Sequence, residues 1–109
     1  MAFDTELAER IRRQLQGMPG ITEQKMFGGI GFMLRGNMCC GVMKDSLVVR
    51  VGPEAHDEAV AQPHAEPMSM GGRVSRGFVV VAPPAIVSDE ALAAWIEKGV
   101  VFAGSLPAK

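Results

Sequence analysis

The segment KMFGGIGFMLRGNMCCGVMKD, residues 25–45, contains both cysteines of the chain and a concentration of its glycines and methionines. Apolar side chains alternate along much of it with a period of two, which is the pattern of short β-strands. Breaks of hairpin length divide it at residues 35–37 and 44–46, whereas a parallel crossover needs a dozen residues or more. The segment therefore predicts an antiparallel meander.

The predicted meander has four strands, which cover residues 22–27, 29–34, 38–43 and 47–51. Because side chains alternate between the faces of a strand, Gly29 and Gly31 lie on the same face of the second one. Such a bare face admits a neighbouring backbone or a bulky side chain, and Gly28 with Gly29 favours a bulge or a tight turn. We expect at least one of Gly28 and Gly29 to have a positive φ or a close neighbour.

The alternative interpretation of these glycines is a phosphate-binding loop, because glycine-rich loops expose backbone amides to anions. The string GGIG, residues 28–31, has neither the spacing of a dinucleotide fingerprint nor the Lys-Ser/Thr of a P-loop. Strands rather than a helix are also predicted to follow it. The sequence therefore favours a structural role for the glycines.

The two cysteines, Cys39 and Cys40, are adjacent in a predicted strand, so we expect their side chains on opposite faces, where they cannot easily bridge. A thioredoxin-like site needs two intervening residues and a helix N-terminus. We interpret the pair as structural thiols, one facing the core, with a reactive or sensing thiol as the alternative. His56 and His64 lie away from them in sequence and give no recognised ligand spacing, which predicts no metal site.

Amphipathic helices are predicted at both ends of the chain. Asp4 is the candidate N-cap of the first helix, and Gly17 is placed to stop it. Ser88 is the candidate N-cap of the last helix, whose apolar stripe should cover the sheet, with Trp95 as a core anchor rather than a ligand-stacking residue. That stripe comprises Leu92, Trp95, Ile96, Gly99, Phe102, Ala103 and Leu106.

Between the meander and the last helix, Pro53 opens a short helix that continues to about Ala61. Residues 62–70 are predicted to form a loop, in which His64 and Glu66 are more typical of exposed loop residues than of a binding site. Residues 74–82 are predicted to form an apolar strand that lies in the centre of the sheet or against a helix. The elements together predict an α+β fold of two layers, in which a mainly antiparallel sheet, a meander plus a later strand, packs against the N- and C-terminal helices.

The composition limits the class of function. The chain has 109 residues, 48% hydrophobic and 21% charged, which fits one globular domain. Its net charge is −1 with scattered basic residues, which disfavours direct binding to nucleic acid. Its apolar runs fall far short of the roughly 20 residues of a bilayer-spanning helix, and early acidic residues argue against a secretory signal. These features predict a cytoplasmic protein that does not bind membranes.

Several short motifs follow one another along the chain. They are Lys25-Met26-Phe27-Gly28-Gly29, Gly31-Phe32-Met33, Gly36-Asn37-Met38, Leu47-Val48-Val49-Arg50-Val51, Pro67-Met68-Ser69-Met70 with Gly71, and the acidic-capped helix from Ser88 through Trp95. In this order they resemble the N-terminal domain of the TfoX/Sxy proteins, bacterial regulators linked to natural competence. The resemblance covers essentially the whole chain and implies a single two-layer α+β domain, residues 1–109, without the second helical domain of the fuller competence regulators.

The resemblance implies no enzymatic activity, since it transfers no catalytic residue, and the sequence itself shows no acid, base or nucleophile arrangement. We expect a non-enzymatic regulatory or protein-interaction domain, without cofactor or metal, whose binding residues and protein partner are unassigned. The alternative is a small-molecule or redox-sensing domain that uses residues Gly28 to Cys40. Polar and charged residues at 22–25 on a candidate edge strand predict a monomer or a weak homodimer.

Overall fold

The first helix, α1, covers Thr5–Leu15 in the computed structural model, which describes residues 3–26, 28–70 and 72–108. Asp4 caps it, because its carboxylate accepts a hydrogen bond from the Leu7 amide at 3.1 Å. Gly17, with a φ of 85°, follows the helix in the left-handed conformation that glycine tolerates best. The predicted start and stop of the first helix are therefore confirmed.

The meander follows as four strands: β1 (Ile21–Met26), β2 (Gly29–Leu34), β3 (Asn37–Met43) and β4 (Ser46–Arg50). Each pairs antiparallel with the next. Arg35 and Gly36 connect β2 to β3 with φ values of 50° and 86°, as a two-residue hairpin turn with positive φ at both positions requires. The predicted meander is confirmed, and Phe27, predicted to end its first strand, lies outside the described residues.

After the short helix α2 (His56–Val60), the chain forms a second hairpin, β5 (Ala65–Met70) and β6 (Arg73–Val81). The prediction of a loop at residues 62–70 is wrong, since most of that range is strand β5. Pro67 does not prevent this, because β5 is an edge strand and one of its sides needs no ladder hydrogen bond. Gly71, in the connection before β6, lies outside the described residues.

The six strands form one antiparallel sheet in the order β1-β2-β3-β4-β6-β5. β6 lies between β4 and β5, which confirms the central position predicted for the valine-rich strand. A 3-10 turn at Pro83–Ile86 then leads to the last helix, α3 (Asp89–Gly104), where the Ser88 hydroxyl accepts a hydrogen bond from the Ala91 amide at 3.0 Å. The predicted Ser88 cap is confirmed.

The helices form a layer on one face of the sheet. α3 packs across β2, β3 and β4, α1 packs against α3 and β3, and α2 packs against β5 and β6. Fully buried side chains between these layers include Ile11, Phe32, Leu47, Val79 and Leu92. The two-layer α+β architecture is confirmed. Within the described part of the chain, no helix combines the length and apolarity needed to cross a membrane.

The opposite face of the sheet carries a second, smaller apolar cluster rich in methionine. Met33 of β2, Met38 of β3, Val48 of β4 and Met68 of β5 are its buried members. Met26, Met43, Phe78 and Val80 pack around them. Methionine suits this position, because its unbranched side chain fills irregular space above glycine-containing strands.

Candidate functional site

The glycines of residues 28–31 are packed against protein atoms or sit in a turn, as the sequence predicted. Gly28 has a φ of 76°, and a β-carbon on Gly29 would overlap the carbonyl oxygen of Val42 on the neighbouring strand. A β-carbon on Gly31 would lie 2.8 Å from the sulfur of Met26 and 3.3 Å from the methyl carbon of Met33. The expectation of a positive φ or a close neighbour is thus met at both Gly28 and Gly29.

The two cysteines occupy a β-bulge. Phe32 pairs with Cys40 and Met33 pairs with Met38, so Cys39 is an extra residue on β3. A bulge turns two successive side chains toward the same side of the sheet. Both cysteines belong to the core beneath the helices, with their sulfurs 3.9 Å apart. The prediction that they face opposite sides is therefore wrong, because it assumed an unbroken alternation.

Both thiols are fully buried and both are free. The Cys39 thiol donates a hydrogen bond to the carbonyl oxygen of Phe32 at 3.3 Å. The hydrogen bond with Cys39, together with burial, raises the pKa of the Cys40 thiol well above its ordinary value. Because a thiol has to be accessible to react and both thiols are buried, this environment is that of a structural cysteine pair.

The other residues that the sequence singled out do not form a site with the cysteines. His56 lies buried on α2, and His64 is exposed at the turn before β5 with a φ of 64°. Glu66 is exposed on β5, and Trp95 is buried on α3, where it serves as the predicted core anchor. Across residues 3–26, 28–70 and 72–108, no three His, Cys, Asp or Glu side chains gather as metal ligands.

A groove lies instead between α2 and α3, and we call it the α2–α3 groove. Its volume is about 770 Å³, inside the range of roughly 300 to 1,000 Å³ typical of ligand sites. The loop after β4, residues 51–55, contributes to its lining. Its residues come from two distant parts of the chain, 51–62 and 94–105.

The floor of the α2–α3 groove is apolar. Val51 and Ala59 are buried there, and Phe102 is half-buried. Gly52 has a φ of 89°, and a β-carbon on it would lie 2.5 Å from the Phe102 ring, so the missing side chain lets the ring lie against the loop. The Arg50 guanidinium carbon lies 5.3 Å from the centre of the same ring, at the distance of a cation–π contact. These contacts hold Phe102 in place at the floor of the groove. The apolar stripe predicted that Phe102 covers the sheet, whereas its side chain is only half-buried.

The rim of the α2–α3 groove combines a large exposed apolar residue, Val101, with charges. Val101 is 65% exposed, although valine is usually buried. Glu54 and Glu58 lie on the α2 side, and Glu97 and Lys98 lie on the α3 side. The arrangement offers apolar contact at the centre and mainly negative charge at the edges.

Sequence reasoning did not find this groove. One signal was available: α3 carries Val100 and Val101 beside its predicted stripe, so its apolar surface is wider than one buried face needs. A second was the pair of glutamates at positions 54 and 58, one helical turn apart beside that surface. The sequence could not show that α2 and α3 line the same groove.

The structure thus shows a small α+β domain with an open groove between α2 and α3. The family model of the TfoX N-terminal domain matches residues 13–103, most of the chain. The chain therefore belongs to the TfoX N-terminal domain family, a regulatory-type family rather than an enzyme family. No curated protein and no solved structure matches it.

Proposed function

We propose that this domain is a non-enzymatic regulatory module that acts by binding another protein through the α2–α3 groove. The observation that carries the proposal is the exposed apolar surface of Val101 and Phe102 in a groove of about 770 Å³. An apolar surface with a charged rim is the usual composition of an interaction site. Membership of a regulatory-type family points the same way.

Several further properties accompany this proposal. The free cysteines suit a reducing compartment, so we place the protein in the cytoplasm. The net charge of −1 argues against nucleic acid as a direct ligand. Exposed polar and charged side chains at residues 22–25 of the edge strand β1 discourage strand pairing between copies, which favours a monomer or a weak homodimer.

The alternative role, small-molecule or redox sensing through Gly28 to Cys40, has weaker support. The space beside Gly29 and Gly31 is taken by neighbouring protein atoms, which leaves a ligand little room. Both thiols are fully buried, whereas a sensing thiol has to be accessible.

Affinity capture with three versions of the tagged protein tests the proposal. The wild-type domain, Val101→Glu and Val87→Glu are incubated with lysate of the native cells, and bound proteins are quantified by mass spectrometry. Val87 is the matched control, because it is 78% exposed and lies just before the N-terminus of α3, at the opposite end of the helix from Val101. We expect a specific protein to be bound by the wild type and Val87→Glu and lost with Val101→Glu. Equal recovery with all three versions, or no specific protein under several growth conditions, contradicts the proposal.

A further inference from the structure

The charge around the α2–α3 groove is unbalanced. Glu54, Glu58 and Glu97 are exposed at its rim, and no ion pair involves them within the described part of the chain. Lys98 is the one lysine among the lining residues, and its ammonium lies 5.8 Å from the ring centre of Trp95, at the distance of a cation–π contact. The rim therefore presents three carboxylates against one ammonium. With the Arg50 guanidinium beside Phe102 included, the groove still carries one more negative than positive charge, which favours a positively charged ligand.

The same rim disfavours several other ligands. Anionic lipid surfaces, phosphopeptides and nucleic acids all carry negative charge, which the three carboxylates repel. A compact small molecule also fits poorly, because most of the lining residues are exposed and ligand sites bury about 70 to 90% of a small ligand. An open groove suits an elongated ligand that covers its length.

The walls of the groove determine which elongated ligand fits. Peptides that bind as added strands need an exposed sheet edge with free backbone groups. Here one wall is the helix α3, most of whose backbone groups are bonded within the helix, and the other is formed by α2 and the preceding loop. A ligand in this groove therefore contacts side chains, such as those of Val101 and Phe102, rather than free backbone groups. An amphipathic helix binds through side chains alone, with apolar anchors spaced three or four residues apart.

We propose that the α2–α3 groove binds an amphipathic helix of a partner protein, with its apolar face on Val101 and Phe102 and with Lys or Arg residues on both flanks. The flanking cations meet Glu54 and Glu58 on one side and Glu97 on the other. This inference rests on the proposed function and adds the chemistry of the partner to it.

Fluorescence anisotropy with designed peptides tests the inference. The probe is a fluorescein-labelled amphipathic helix built from Leu and Lys, compared with a Leu/Glu helix of the same pattern and with a Leu/Lys peptide of the same composition in scrambled order. The protein variants are the double variant Glu58→Gln/Glu97→Gln and the control Glu6→Gln, which neutralises an exposed carboxylate on α1.

We expect the amphipathic Leu/Lys peptide to bind at least about tenfold more tightly than either other peptide, because both the charge and the apolar spacing match. The double variant should weaken binding by about fivefold, since two exposed charge pairs contribute about 0.5 kcal/mol each. Glu6→Gln should leave binding unchanged. Equal binding of all three peptides, or an unaffected double variant, overturns the inference. If lysate capture still depends on Val101 while the Leu/Lys peptide fails to bind, this inference is wrong and the proposed function stands.

Discussion

Two regions of this domain contrast with each other: the glycine- and cysteine-rich stretch, residues 28–40, which dominates the sequence, and the α2–α3 groove. In the stretch, the unusual residues serve the protein's own packing, since Gly29 lies against the backbone of Val42 and Gly31 lies beneath Met26 and Met33. In the groove, common residues from two distant segments remain exposed around an open volume. The contrast teaches that unusual composition here meets requirements of the backbone, while the proposed recognition surface is built from ordinary side chains.

The largest effect that the contrast predicts is at Gly29. In Gly29→Ala, the new β-carbon overlaps the carbonyl oxygen of Val42, a backbone atom of a central strand that cannot turn away. We expect the free energy of unfolding to fall by about 3 kcal/mol, the upper end of the usual cost of overpacking. Urea denaturation followed by circular dichroism measures it. A variant as stable as the wild type would show that this stretch has room for a ligand.

The second prediction concerns Gly99, where α3 crosses the bulge at Cys39. Alanine in a helix interior normally stabilises by about 1 kcal/mol relative to glycine. At Gly99, however, the β-carbon overlaps the Cys39 carbonyl oxygen. An overpacking cost of about 3 kcal/mol exceeds that gain, so we expect Gly99→Ala to lose about 2 kcal/mol.

Gly104→Ala is the matched control for Gly99→Ala. It lies on the same helix, and its β-carbon would be 3.7 Å from the nearest carbon of Leu34, an ordinary contact. We expect it to be as stable as the wild type or slightly more stable. If both variants gain stability in the urea series, α3 does not lie as closely on the bulge as described.

The third prediction separates Gly28 from Gly29. Gly28 has a φ of 76°, but a β-carbon added to it would have no heavy atom of the described residues within 4 Å, its chain neighbours aside. The left-handed backbone conformation is therefore the only feature that disfavours a side chain here. We expect Gly28→Ala to lower the free energy of unfolding by about 1 kcal/mol. Gly28→Asn should cost less, because asparagine tolerates this conformation better. Thermal unfolding of the two variants checks the order, and an asparagine variant less stable than the alanine variant would contradict it.

The smallest stability effect is expected in the groove. Val101 is 65% exposed, so Val101→Glu should change the free energy of unfolding by no more than about 0.5 kcal/mol. The same substitution should abolish capture of the partner. A loss of stability well above this value would place Val101 with the packing residues rather than with the recognition surface.

Much of the fold was predictable from local signals. The caps at Asp4 and Ser88 and the turn at residues 35–37 each depend on a few neighbouring residues, and the structure confirms them. The strand β5 was missed because Pro67 reads as a break, whereas an edge strand tolerates proline. Whether a strand lies at an edge depends on the whole sheet, which local patterns do not contain.

The candidate site was harder to predict than the fold. The bulge at Cys39 shifts the alternation by one residue, and no glycine or proline at that position marks it. The groove depends on α2 and α3 flanking the same space, although the β5–β6 hairpin separates the two helices in sequence. Val101 and Glu58 belong to no recognisable motif, so only the structure shows that they line the same groove.

One measurement tests most directly the claim that residues 28–40 build the fold while the α2–α3 groove binds. The ¹⁵N-labelled domain is titrated with the amphipathic Leu/Lys peptide, and amide chemical shifts are followed by NMR. We predict that the largest shifts fall in residues 51–62 and 94–105, with little change at 28–40. Largest shifts within residues 28–40, or saturating binding that leaves 94–105 unchanged, would contradict it.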